Sequence, residues 1–399
     1  MWTKEMSVHG VAEIRTRSTV YLGCGAIEKV RDILTILKGR GINKLIIVTG
    51  QHSYRKCGAW DHCLDAMEDC DIDYVKYSDV TANPTVDHVD AATAVARKFG
   101  AQAVLTIGGG SPIDTAKSVA ILMKHTDKTA RQLYNYEFTP KDAAPIVTIN
   151  TTHGTGTETN RFAVVSIPEK FHKPYIATDV IYPLYSIDDP QLMVNLAPDQ
   201  TAYVSIDAVN HVVEACTSMA ANPYSVLLAK QTVDLVAQYL PIALQTPGNL
   251  EARYFLTYAA MTAGVSFDNG LLHYTHALEH PLSGVDPSLP HGLGLALLLP
   301  TVVKKIYSAK PETLAFVLGG IVPGLQGVGN EADKVFRLLN EWLATCGIVR
   351  GLSNNGFDES QIERLVGLVY ETPGLEPLLG LAPNPADRES VAQIYADAM

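Results

Sequence analysis

Twelve histidines are present, and His273, His276, His280 and His291 crowd into a short stretch of chain. His276 and His280 are four residues apart, and so are Asp207 and His211 upstream. In a helix that spacing puts both members of a pair on one face. One carboxylate with several imidazoles suits a divalent transition metal such as Fe2+ or Zn2+, and suits Ca2+ or Mg2+ poorly. The protease pattern His-Glu-x-x-His is absent, because Ala277 follows His276 and the acid is Glu279. A second chemistry sits in Gly108-Gly109-Gly110-Ser111-Pro112-Ile113-Asp114-Thr115-Ala116-Lys117. Glycines let the backbone approach a ligand closely, and a helix that follows offers free N–H groups and its positive end to an anion such as a pyrophosphate. Ser111 as N-cap, Pro112 as first helical residue and Asp114 as capping-box partner would account for Ser-Pro-x-Asp without a ligand, but not for three glycines. It is not the Walker pattern. Thr151-Thr152-His153-Gly154-Thr155-Gly156-Thr157-Glu158 makes another donor-rich loop, whose plain alternative is a turn capped by Thr155 or Thr157. Gly23-Cys24-Gly25 lacks a third glycine and reads as a turn.

These segments follow strands. Residues 18–22, 44–49, 103–107 and 145–150 are β-rich apolar runs, and 26–37, 86–99 and 111–123 have helical spacing between them. Apolar strands alternating with helices imply a parallel sheet covered on both faces, with ligands at the carboxyl ends of its strands. After Ile187-Asp188-Asp189-Pro190 the strand signals fade, and 205–219, 224–240, 250–265 and 271–280 read as helices. The expected division is an α/β part over 1–190 and a helical part over 191–399.

The chain has 399 residues, of which 47% are hydrophobic and 18% charged, enough apolar material to exclude wholesale disorder. A net charge of −11 argues against a general nucleic-acid binder or a partner of anionic membranes. The apolar stretch 293–303 is interrupted by Pro300 and too short to span a bilayer, so it reads as a buried helix end. The first ten residues lack a signal-peptide core, and six cysteines without a C-x-x-C read as reduced thiols; a cytoplasmic protein is expected. A closed homo-oligomer is the expectation for such a chain.

Over most of its length the sequence resembles the iron-containing (group III) alcohol dehydrogenases. The resemblance rests on Gly108-Gly109-Gly110-Ser111-x-x-Asp114-x-Ala116-Lys117, Thr151-Thr152-x-Gly154-Thr155-Gly156-x-Glu158, Asp207-x-x-x-His211, His276-x-x-x-His280-Pro281 and Pro290-His291-Gly292. Phe138-Thr139-Pro140-Lys141 and the segment 182–190 are similar to the NADP-preferring branch from thermophilic anaerobes. The resemblance implies a Rossmann-like α/β domain followed by an all-α domain, the dehydroquinate synthase-like architecture. It implies Asp207, His211, His276 and His291 as metal ligands, with Fe2+ expected and Zn2+ the alternative, and His280 near the nicotinamide. It implies that Gly109, Gly110, Ser111 and Asp114 serve the pyrophosphate turn, that Thr151, Thr152 and Thr155 line the dinucleotide, and that Asn83 and Lys173 stand near it. His273 is left as structural. Many members carry Ala where this chain has His153, which could touch the cofactor or tune pH dependence.

NAD-preferring members usually carry Asp at the end of the second strand, where this chain has Gly50. Without that carboxylate, Ser53, Arg55 and Lys56 could receive a 2′-phosphate, so NADP is expected over NAD. The implied activity is hydride transfer between NADP(H) and small primary alcohols or aldehydes. A zinc glycerol-type dehydrogenase or a dehydroquinate-synthase-like lyase is the rival within the superfamily; Lys304 and Lys305 are too few basic residues for the lyase. A metal-dependent hydrolase would use the histidines but leave both glycine-rich loops unexplained, and a non-catalytic nucleotide sensor would leave the metal quartet unexplained.

Overall fold

The computed structural model describes residues 1–6, 11–384 and 386–399. Its first part is built on a six-stranded parallel sheet in the order β1-β8-β5-β4-β2-β3, formed by β1 (Thr19–Leu22), β2 (Lys44–Gly50), β3 (Asp73–Val80), β4 (Ala103–Gly108), β5 (Ile146–Asn150) and β8 (Tyr185–Asp188). β6 (Phe162–Val164) and β7 (Tyr175–Ala177) form a small antiparallel pair beside it. Alternation along β2 shows why both faces must be covered. Leu45 and Ile47 join a core with α1 (Lys29–Gly39) and α3 (Ala59–Asp69), beyond the short α2 (Ser53–Lys56). Ile46 and Val48 join the opposite core with α4 (Val86–Phe99), α5 (Gly110–Lys124) and α6 (Ala130–Tyr134). β3 and β8 are additional to the strands that the sequence predicts. The chain passes from β2 out to β3 and then back across β2 to β4, so a crevice opens where the strand order reverses.

From Pro198 onward the described elements are helical. α7 (Pro198–Thr217), α8 (Pro223–Gln245), α9 (Leu250–Gly270), α10 (Tyr274–Val285) and α11 (His291–Ile306) surround one large apolar core, with shorter helices closing it. Two expectations need correction. α10 begins at Tyr274 rather than at 271, because residues 271–273 link two helices. α11 runs through Pro300 instead of breaking there. His291–Ala309 is apolar enough to cross a membrane by composition, but 72% of that stretch is buried and belongs to the helical core.

Candidate active site

A cleft of about 820 Å³ lies between the carboxyl edge of the sheet and the helices. Each side is built from a local feature of the sequence. On the sheet side, β4 ends at Gly108 and Gly109 takes an extended conformation as N-cap, so α5 starts at Gly110. The expected capping by Ser111 and Asp114 does not form. The Asp114 carboxylate instead accepts from Thr157 Oγ1 at 2.8 Å and from the Val164 N–H at 2.9 Å, and burial pushes it up to about 6. Asp114 thus braces the Thr157 loop against β6. The glycines also have a packing cause. A Cβ at Gly109 would lie 2.6 Å from Thr152 Oγ1, and one at Gly110 would lie 2.7 Å from Thr155 Cγ2. The two loops interlock, and only glycine permits it.

Gly50, Ser53 and Lys56 line the same side at the end of β2, together with Ser111, Thr151 and Thr155. Arg55 is not among the lining residues; its guanidinium lies 5.4 Å over the Tyr54 ring, because Ser53, Lys56 and Cys57 share the face of the α2 turn that meets the cleft and Arg55 lies off that face. Asn83 lines the cleft, but its amide donates to the Pro287 carbonyl at 2.9 Å and to the Leu289 carbonyl at 3.4 Å, and so ties the sheet side to the loop before His291. Lys173 is also spent locally, 3.3 Å from Glu279 Oε2 and 3.2 Å from His291 Nδ1.

On the helical side, α7 presents Asp207 and His211, α10 presents His276 and His280, and α11 begins with His291. All five line the cleft. Ligand atoms of Asp207, His276 and His291 lie within 4.8 Å of one another. His211 Nδ1 is 3.3 Å from Asp207 Oδ1, and its ring stacks on Phe267 and on His276, each at 4.5 Å. Asp207 Oδ1, His211 Nδ1, His276 Nε2 and His280 Nδ1 are buried without hydrogen-bond partners. Buried polar atoms that converge unsatisfied are what a metal site provides, and the nitrogen and oxygen donors fit Fe2+ or Zn2+.

Two carboxylates that the sequence reading did not single out orient these rings. Glu214 Oε1 accepts the backbone N–H groups of Thr275 at 2.7 Å and His273 at 3.1 Å, and Oε2 accepts His276 Nδ1. Glu279 Oε2 accepts His291 Nδ1. Each carboxylate fixes Nδ1 as a donor, so Nε2 is the ring nitrogen turned to the cleft, and against the cost of burial Glu214 with Asp207 raises His276 to about 9. Burial disfavours ionised Glu214, but facing His276 holds the carboxyl down to about 2. Asp207 is likewise held down to about 2 by His211 and His276 against the cost of burial. Burial lowers His211 to about 3, and burial with the Lys173 charge keeps His280 well below the ordinary imidazole value. The spacing held a signal for both acids, since Glu214 is three residues after His211 and Glu279 three after His276.

His273 does not line the cleft: Nδ1 accepts from the Tyr274 N–H at 2.7 Å, and Nε2 lies 2.9 Å from Thr217 Oγ1. His153 faces away from the cleft. Its Nε2 accepts from Arg253 Nη1 at 2.9 Å, its Nδ1 lies 3.3 Å from Ser205 Oγ, and burial beside Arg253 lowers it to about 3.

Comparison with known proteins agrees with this geometry. Residues 17–190 match the iron-containing alcohol dehydrogenase model, and residues 201–399 match the C-terminal model of the Fe-containing alcohol dehydrogenase family. The long-chain primary alcohol dehydrogenase AdhA of Thermoanaerobacter ethanolicus is 53% identical over 398 residues, covering all of both chains. The NADPH-dependent butanol dehydrogenase of Clostridium saccharobutylicum is 28% identical over 94% of this chain and 95% of its own. Among solved structures, the NADH-dependent butanol dehydrogenase A of Thermotoga maritima superposes with a TM-score of 0.89 at 26% identity, over 97% of this chain and 98% of that one. With two family models covering nearly all of its length, and a cleft that sets imidazole and carboxylate groups beside a glycine-rich turn, the chain belongs to the iron-containing alcohol dehydrogenase family and is an oxidoreductase acting on alcohols.

Proposed function

We propose that this protein transfers a hydride between NADP(H) and primary alcohols or their aldehydes, using Fe2+, with residues 1–190 serving the dinucleotide and 191–399 the metal and substrate. The observation that carries the reading is the convergence of Asp207, His276 and His291 on the cleft that also exposes the Gly109–Ser111 turn. Asp207, His211, His276 and His291 would hold the metal. Bound there, the cation supplies Lewis acidity toward the alcohol oxygen, and the dinucleotide supplies the hydride-accepting ring.

The residues of the chain do the rest. N–H groups at the start of α5 face the pyrophosphate, and Thr151, Thr152 and Thr155 orient the dinucleotide. Lys56 and Ser53, which line the cleft beside Gly50 where Arg55 does not, would receive a 2′-phosphate. His280 lines the cleft with Nδ1 buried and without a hydrogen-bond partner, and would help to carry the alcohol proton out. Lys173 acts through Glu279 and His291 rather than on the dinucleotide. Phe267 and Phe162, with ring centroids 5.3 Å apart, continue an apolar wall away from His211 and would pack the alkyl chain, in keeping with the long-chain alcohols named for the Thermoanaerobacter relative. The test is anaerobic purification, measurement of bound metal, and assay of the reduced-nicotinamide absorbance with a panel of primary alcohols and both dinucleotides. Stoichiometric metal with faster NADP than NAD reduction is expected. An iron-loaded protein that reduces neither dinucleotide with any alcohol sinks the proposal.

A further inference from the structure

Leu271 has φ 61 and ψ 169. That region of backbone space is occupied essentially by glycine alone, because a Cβ there clashes with its own chain. A leucine persists in it only when its neighbours leave no alternative. Here they do not. Gly270 is pressed onto α7, where an added Cβ would lie 2.2 Å from the Ala215 carbonyl oxygen, and Ser218 Oγ donates to the Gly270 carbonyl. The Asn269 carbonyl accepts from Asn222 Nδ2 at 2.9 Å. Beyond Leu271, Glu214 fixes the N–H groups of His273 and Thr275. The backbone is bolted on both sides of the residue, by the same carboxylate that aims His276.

Leu271 belongs to none of the apolar cores and packs against none of them. It lines the cleft beside Leu272 and Phe267, half-buried, in the link that leads into the histidine helix. A bulky side chain held at a glycine-type position, on the wall of a ligand cleft, points to contact with a ligand.

We infer that Leu271 is a specificity-determining residue: its side chain closes on the alkyl chain of the bound alcohol and sets the preference for longer primary alcohols. The inference rests on the alcohol-oxidising reading above and adds the residue that selects among alcohols. Removing the side chain separates its two effects. Leu271→Gly relieves the backbone strain and removes the contact, whereas Leu271→Ala keeps the strained Cβ and removes most of the contact.

The experiment compares wild type, Leu271→Gly and Leu271→Ala by thermal unfolding and by kcat/KM over straight-chain primary alcohols from ethanol to octanol, with NADP and loaded metal. The hexanol-to-ethanol ratio of kcat/KM is expected to fall about tenfold or more in both variants, through KM rather than kcat. Leu271→Gly is expected to melt about 2 °C or more above Leu271→Ala. Equal loss for every alcohol, or a ratio that does not move, overturns the assignment to substrate contact. A Leu271→Gly protein melting below Leu271→Ala overturns the strain argument. A wild type that oxidises no primary alcohol overturns the activity reading itself, which the melting comparison does not touch.

Discussion

Replacing Glu214 with Gln tests whether the metal site is tuned from behind. The carboxylate is fully buried. One oxygen accepts the Thr275 N–H at 2.7 Å, the His273 N–H at 3.1 Å and the His276 N–H at 3.4 Å, and the other accepts His276 Nδ1. A glutamine has one oxygen for these two tasks. The backbone N–H groups cannot turn away, so the amide oxygen stays with them and the NH2 group faces His276 Nδ1. That nitrogen must then accept, its proton moves to Nε2, and the ring presents N–H where a lone pair is needed. Loss of such a supporting carboxylate costs about 10- to 100-fold in metal affinity, or roughly 1.4–2.7 kcal/mol. The assay is anaerobic competition of Fe2+ and Zn2+ between the protein and a chromophoric chelator, with circular dichroism to confirm that the variant is folded. Glu279→Gln should repeat the effect through His291, since the same contact recurs there. A folded Glu214→Gln protein that binds both metals as tightly as wild type refutes the reasoning.

Gly50→Asp should shift the NADP-to-NAD ratio of kcat/KM toward NAD by about tenfold or more, by setting a carboxylate against the 2′-phosphate. The added Cβ sits 3.3 Å from the Val80 carbonyl oxygen, so a small loss of stability should accompany the shift in a steady-state assay with both dinucleotides. His153 is held down to about 3 by burial and Arg253. The unfolded chain binds a proton below its ordinary value of about 6.5 while the folded chain does not, so this residue costs stability progressively as pH falls from about 6.5 toward 3, by about 3 kcal/mol at pH 4.5. Denaturant titrations at pH 7 and 4.5 should show a smaller acid-induced loss for His153→Gln than for wild type. Lys117 is buried, and its ammonium donates to the carbonyls of Thr157 at 2.6 Å, Phe162 at 2.7 Å and Asn160 at 2.9 Å. Lys117→Met takes the short bonds from those carbonyls, leaving the Thr157 carbonyl only the Asn160 N–H at 3.5 Å and the Phe162 carbonyl only Thr157 Oγ1 at 3.3 Å, and should lower stability by about 3 to 5 kcal/mol in the same titrations.

Some of this was readable from sequence, for physical reasons that differ by element. β2, β4 and β5 are covered on both faces and therefore mostly apolar, and they stand out. β3 is an edge strand of mostly half-buried and polar residues, Asp-Tyr-Val-Lys-Tyr-Ser-Asp-Val, and leaves no apolar run to detect. β8 spans four residues, too few for any periodicity, and is a strand because β1 and β5 flank it. The start of α5 was misplaced because Ser111 and Pro112 carry cap and first-turn preferences that the contact of Gly109 with Thr152 overrides. The histidines were legible because their spacing is local. Arg55 was not, because which of two adjacent basic side chains enters the cleft depends on how a single helical turn is set on the sheet. Leu271 was illegible for the opposite reason: its residue type argues against the conformation that it adopts.

The two sides of the cleft sit on different parts of the fold and are held together by direct backbone contact. Gly154 lies in the threonine loop on the sheet side, and a Cβ there would fall 2.6 Å from Val204 Cβ and 2.7 Å from the Val204 carbonyl oxygen. Val204 is on α7, one helical turn before Asp207. Gly156 makes the same kind of contact with α9, where an added Cβ would fall 2.5 Å from Gly264 Cα. The dinucleotide-side loop thus rests directly on the backbone of two helices, one of which carries the proposed metal ligands Asp207 and His211. Arg253 adds a polar tie over the same seam, donating to His153 in the loop and to Thr201 on α7, each at 2.9 Å. Rigid contacts of this kind fix relative position far better than a mobile linker would, and hydride transfer, which depends steeply on approach distance, needs that fixity. The glycines of this loop therefore have a cause besides ligand approach: they set the separation between the surface that would bind the nicotinamide and the cluster that would bind the alcohol.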